Sequence, residues 1–147
     1  MIRKELYYTT EWIKRLEVDT ENHHLYCCTD RNLLIYDFNG NLLRHYENIH
    51  KLVVSCSVYS SSSKLLVTGS LDCDIKVWSI AGGLIETFKG HTRAITKLLL
   101  NPYSSSLVIS SSMDGTVKMW SLDIMGLMYK YGHLFFLLLV TSKIGIN

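Results

Sequence analysis

Three aromatic residues, Tyr36, Trp78 and Trp120, stand 42 residues apart in succession. Each closes a short run that follows an acidic turn: "TDRNLLIYDF", "LDCDIKVWSI" and "MDGTVKMWSL". Asp30, Asp72 and Asp114 hold the same place in the three runs. In the last run, Asp114-Gly115 signals a hairpin, because Gly accepts positive φ and Asp bonds its own turn. Val117, Met119 and Ser121 then point to one face of a strand, and Thr116, Lys118 and Trp120 to the other. "LVISSS", Leu107 to Ser112, supplies the strand before the turn. A tryptophan at the end of such a strand packs in a core, and its indole N–H then needs an acceptor.

The rest of each period supplies two more strands. "AITKLLL" places Ile95, Leu98 and Leu100 at offsets 0, 3 and 5, and "WIKRLEV" places Ile13, Leu16 and Val18 at the same offsets. The middle period offers Val54, Ser57 and Tyr59, a weaker match. After each aromatic strand come a turn and a further run, "FNGNLLRHY", "AGGLIETF" and "IMGLMYKY", with Gly40, Gly82 and Gly126 in the turns. Gly90-His91 recurs as Gly132-His133. A period near forty with four short strands per unit is the pattern of propeller blades.

At these residues the chain resembles the WD40-repeat family. "GHTRAITKLLLNP" followed by "SSSMDGTVKMWSL" has that family's Gly-His start and strand-end Trp, and the resemblance covers roughly residues 9 to 133. Ser79 and Ser121 replace the family's final aspartate, while the first unit keeps it as Asp37. The resemblance implies an all-β partial propeller: three four-stranded blades, in units of about 9–46, 47–88 and 89–131, plus the start of a fourth. Residues 134–147 form an apolar tail, either a broken fourth unit or sequence foreign to the repeat.

The resemblance also implies a hydrogen-bond relay in each unit, joining the histidine, a Ser or Thr on the second strand, the turn aspartate and the tryptophan. Carried onto this chain, the third unit offers His91, Ser110, Asp114 and Trp120. The second offers His50, Thr68, Asp72 and Trp78, with His50 one residue off the strict period. The first has Asp30, but Tyr26 and Tyr36 stand where Ser/Thr and Trp belong, so its relay is broken. The same residue types could make a catalytic set, but an active site is rarely built once per blade, and these positions supply no exposed nucleophile or oxyanion donor. In the family, partners use the face that bears the relay turns. The flanking residues expected to reach that rim are Thr29, Lys51, Leu71, Arg93 and Met113.

Composition narrows the rest. Net charge is +2 and the cations are scattered, so no nucleic-acid partner is expected. Cys27, Cys28, Cys56 and Cys73 form no C-x-x-C pair and no zinc spacing, which reads as core thiols in a reducing, intracellular and cytoplasmic, setting. No cofactor or metal is expected. The serine runs Val58 to Lys64 and Pro102 to Ser112 read as solvated hairpin loops. The N-terminus lacks an apolar signal region. Leu134 to Val140 is shorter than the ~20 residues of a membrane helix, so no membrane partner is expected. The expected role is a non-catalytic scaffold that binds proteins or peptides. At 147 residues it would be a fragment of a longer propeller, with self-association through open blade edges. The alternatives are a docking domain of an enzyme whose catalytic part lies elsewhere, and a non-functional truncated product.

Overall fold

The computed structural model describes residues 11–81 and 83–122. Among these residues eleven strands form three antiparallel sheets. The first holds β1 (Arg15–Asp19), β2 (His24–Cys28), β3 (Leu33–Asp37) and β4 (Leu42–Tyr46) in that order. The second holds β5 (Val54–Ser60), β6 (Leu65–Ser70), β7 (Ile75–Ser79) and β8 (Gly83–Phe88). The third, among the described residues, holds β9 (Ile95–Asn101), β10 (Ser104–Ser112) and β11 (Val117–Ser121). The expected fourth strand of the third unit, the Gly132-His133 start and the apolar tail lie outside the described residues.

Spacings of 3 and then 2 on one face break strict alternation, and a bulge accounts for the first. Lys97 pairs with Ser111 but Ile95 pairs with Ser112, so β9 carries an extra residue. Ile95 and Leu98 therefore share a face and bury together with Val108 against Cys56, Val67, Ile75 and Val77 of the second sheet. The same shift falls between Val54 and Cys56 in β5. Val54 and Tyr59 face the first sheet, packing with Tyr26, Cys28, Leu33 and Ile35.

Ser57, the weak member of the middle triplet, also points to the first sheet, where a polar partner awaits it. Its hydroxyl donates to Glu17 at 2.9 Å. The Tyr59 hydroxyl donates to buried Asp19 at 2.6 Å, and Arg15 donates to the Ser55 carbonyl at 2.8 Å. Alternate residues of β1 thus each bond β5, so the innermost part of this seam is polar. The next seam, from β5 to β9, packs mainly apolar side chains, with the Ser55 hydroxyl donating across it to the Ile95 carbonyl at 2.5 Å.

Among the described residues, apolar side chains are exposed at both ends of the stack. Leu16, equivalent to the buried Leu98, is 58% exposed, and Ile13 and Val18 are exposed beside it. At the other end Val117 is 69% exposed and Met119 and Leu99 are exposed, whereas Ile75 and Val77, at the same places in the second sheet, are fully buried.

One serine run departs from expectation. The first run ends β5 at buried Ser60 and fills the β5–β6 loop from Ser61 to Lys64, but in the second run Ser104 and Ser106, expected in the loop, belong to β10. The turn is only Pro102-Tyr103, closed by the Tyr103 N–H on the Asn101 side chain, so pairing resumes at once as Ser104 with Asn101.

Candidate functional site

Antiparallel order puts the β2–β3, β4–β5, β6–β7, β8–β9 and β10–β11 connections at one end of the stack. That end carries the histidines and turn aspartates. In the third unit His91 Nδ1 lies 2.8 Å from Asp114, His91 Nε2 lies 2.7 Å from Ser110 Oγ, and Trp120 Nε1 donates to the same Oγ at 2.7 Å. In the second unit the distances are 3.0 Å for His50–Asp72, 2.9 Å for His50–Thr68 and 2.9 Å for Trp78–Thr68. The structure brings each of these sets of four together.

The donors limit the proton positions. Indole N–H can only donate, so each hydroxyl oxygen accepts from Trp. The hydroxyl keeps a second lone pair and its own proton for His Nε2, and Thr68 also donates to the Lys76 carbonyl at 3.5 Å. Burial pushes the His50 pKa below its usual value, with Asp72 opposing. Burial pushes Asp72 up, but His50 and the N–H groups of Lys51 and Asp74 outweigh it and hold the carboxyl low. Asp114 is held far below the usual carboxylate range, first by the Thr116 hydroxyl and then by His91 and the N–H groups of Thr92 and Thr116.

These sets clamp chain. Ser110 and Thr68 are fully buried. Each aspartate ties its hairpin turn to the loop entering the inner strand, through the N–H of Lys51 or Thr92. Among the described residues no group of His, Cys, Asp and Glu could hold a metal ion.

The first unit is built otherwise. Tyr26 and Tyr36 fill the core, and Asp30 joins no relay; it pairs with Lys14 at 2.7 Å instead. Glu11 accepts from the Thr29 hydroxyl and the Asn32 side chain, and Asn32 accepts from the Asn48 N–H at 3.0 Å. Thr29 is therefore not a rim contact: it is fully buried, because this substitute network draws its hydroxyl inward.

The other four expected contacts lie on the surface. Lys51 and Arg93 are exposed, Leu71 is 43% exposed and Met113 is 62% exposed. Leu71 N–H bonds Val53 O and Met113 N–H bonds Ala94 O, which sets each turn against the loop before the inner strand. Leu52 and Trp12 are also exposed on those loops and were not singled out by the sequence. The available signal was an apolar residue just before the inner strand, outside the alternating register.

A polar cleft of about 430 Å³ opens where β1, β5 and β9 converge, lined by Arg15, Glu17, Ser55, Ser57 and Lys97 among others. Burial raises the Glu17 pKa there.

The description WD domain, G-beta repeat matches residues 40–79 and 82–121, more than half of the chain. No curated protein matches the sequence. Two solved structures, described as the structure of U3-55K and the crystal structure of RRP9 WD40 repeats, are similar in fold. Each has a TM-score of 0.73 at 23% identity and covers 80% of this chain. This chain spans only 38% of the length of each. Repeat by repeat, in sequence and in sheet order, the chain belongs to the WD40-repeat family.

Proposed function

We propose that the chain is a non-catalytic protein-interaction scaffold whose partners dock on the relay face, around Lys51, Leu71, Arg93 and Met113. The observation that carries this reading is the exposure of Leu71 and Met113 at the tips of turns that the relays hold rigid. An apolar side chain on a fixed, otherwise polar turn can anchor a partner with little loss of freedom on binding. The buried hydroxyls of the relays argue against a hydrolytic role for the same residues.

The open ends of the stack support a second part of the reading. The faces bearing Leu16 and Val117 take up further blades, from a longer chain or from a second copy. Four cysteines without disulfides suit a reducing intracellular compartment. A photo-cross-linking residue placed at position 71 or 113 tests the reading. It should capture a defined partner that the same residue at Arg44, exposed on outer strand β4, does not. Capture at position 44 alone would place the docking surface elsewhere.

A further inference from the structure

The relays and the docking face leave the cleft between β1, β5 and β9 without a role. Each of these strands ends the strand order of its sheet, so the cleft opens along three inner edges. Its volume of about 430 Å³ falls within the range of small-molecule sites, roughly 300–1,000 Å³. Among the described residues three charged side chains line it: the cations Arg15 and Lys97, and the carboxylate Glu17.

Neither cation has a carboxylate within ion-pair distance among the described residues. Carbonyls hold Arg15 instead. Its Nε and Nη2 donate to the Ser55 carbonyl, and its Nη1 donates to the Lys14 carbonyl. Ser55 is itself fixed, because its hydroxyl donates to the Ile95 carbonyl. The guanidinium therefore stands on a set acceptor, with one N–H left on each terminal nitrogen. Lys97 brings three more donors from the facing strand β9. Burial raises the pKa of the Cys56 thiol, and Arg15 and Lys97 both act on it in the other direction, so the two charges bear on one part of the cleft.

Glu17 stands two residues along β1 from Arg15. It accepts from the Ser57 hydroxyl at 2.9 Å and from the Tyr59 N–H. An ionised carboxylate has about four lone-pair sites, so it can accept from a ligand as well.

We infer that this cleft binds a small phosphate ester that also carries a hydroxyl group. The phosphate sits between Arg15 and Lys97, and the hydroxyl donates to Glu17. A phosphate dianion matches two cations, where a monocarboxylate would leave one unmatched, and the planar guanidinium suits phosphate oxygens. Glu17 narrows the choice further: it repels a bare anion and favours one that brings its own donor. The site lies on the inner edges rather than on the relay turns, so it stands or falls independently of the partner face.

The test uses the whole chain and isothermal titration calorimetry with glycerol phosphate, inorganic phosphate, malate and glycerol. Glycerol phosphate should bind tightest, inorganic phosphate more weakly and glycerol not at all, and binding should weaken as salt rises. Lys97→Glu should weaken glycerol phosphate about tenfold or more, because it reverses a charged contact to the phosphate. Lys97 is exposed, so this substitution should leave the fold intact. Arg44→Glu, on outer strand β4, should leave binding unchanged. Glu17→Gln should tighten inorganic phosphate and narrow its gap to glycerol phosphate, a gain that loss of structure would not produce. If malate binds as tightly as glycerol phosphate, the phosphate chemistry is wrong. If inorganic phosphate binds the native chain as tightly as glycerol phosphate, the hydroxyl contact falls. If Arg44→Glu weakens binding as much as Lys97→Glu, the attraction is diffuse charge and the site is overturned. Absence of binding by both phosphates overturns it as well.

Discussion

Cys73 occupies the same turn position as Gly115, and both lie in the left-handed region, at φ 73° and φ 81°. For any residue with a Cβ that backbone is strained, whereas glycine adopts it freely. Cys73→Gly should therefore stabilise the chain by about 0.5–1 kcal/mol, the relieved strain being partly offset by a freer unfolded state. Gly115→Ala should destabilise it by about 1 kcal/mol, purely through backbone conformation, since a Cβ there would meet nothing within 4 Å. Urea midpoints of the two variants check both signs.

The relay turns should be far more sensitive than the first-unit turn. Asp72→Ala removes the acceptor of His50 and of two backbone N–H groups and should destabilise by about 1–3 kcal/mol. Asp30→Ala loses an exposed pair with Lys14 and should cost less than about 1 kcal/mol. Equal losses in chemical denaturation would mean that the relay does not clamp the second unit.

Acid should act first through a histidine. The His50 pKa lies below its usual value of 6.5, so the unfolded chain binds a proton before the folded one does. Stability from this site is complete above about pH 6.5 and falls as the pH drops below it. Asp72 and Asp114, whose pKa values are lowered, add a second loss only as the pH falls below the usual 3.8. Denaturant midpoints measured from pH 7 to 5 should fall in the native chain and fall less in His50→Gln.

The polar seam between the first two sheets should behave unlike its mainly apolar neighbour. Tyr59→Phe takes a donor from buried Asp19 and should destabilise by about 1.5–3 kcal/mol, as expected for a hydrogen bond to a charged group. Joint replacement of Ser57 and Glu17 by leucine should be near neutral, because it exchanges a matched polar pair for packing of the kind seen at Leu98. Calorimetry of the single and double variants separates the two outcomes.

Val117→Lys with Met119→Lys should reduce self-association, because it charges an apolar face that no sheet among the described residues covers. Sedimentation velocity should show smaller species for the variant than for the parent chain. Unchanged distributions would remove this face from any assembly.

The repeat made most of this architecture legible. Aromatics and aspartates at a fixed spacing carry both the strand–turn–strand unit and, through the family resemblance, the four relay positions. What stayed hidden was side-chain direction where local and long-range partners compete. Thr29 looked like a rim residue because its place in the repeat is a turn, but Glu11, 18 residues earlier in the chain, draws it inward. Ser57 looked like a defect because its partner, Glu17, lies 40 residues earlier in another sheet. Ser104 to Ser106 looked like loop because serine favours turns, but strand pairing across a two-residue connection overrides that preference.

Gly69 lies on β6 where the second sheet meets the start of β9. A Cβ there would stand 2.7 Å from Ile95 Cγ2 and 2.9 Å from Cys56 Sγ. The missing methyl lets the two sheets pinch together at this corner, as the facing side chains elsewhere do not. The contact between these two sheets is thus sensitive to a single hydrogen on the backbone: a larger residue at position 69 would have to push Ile95 and Cys56 aside and open the corner.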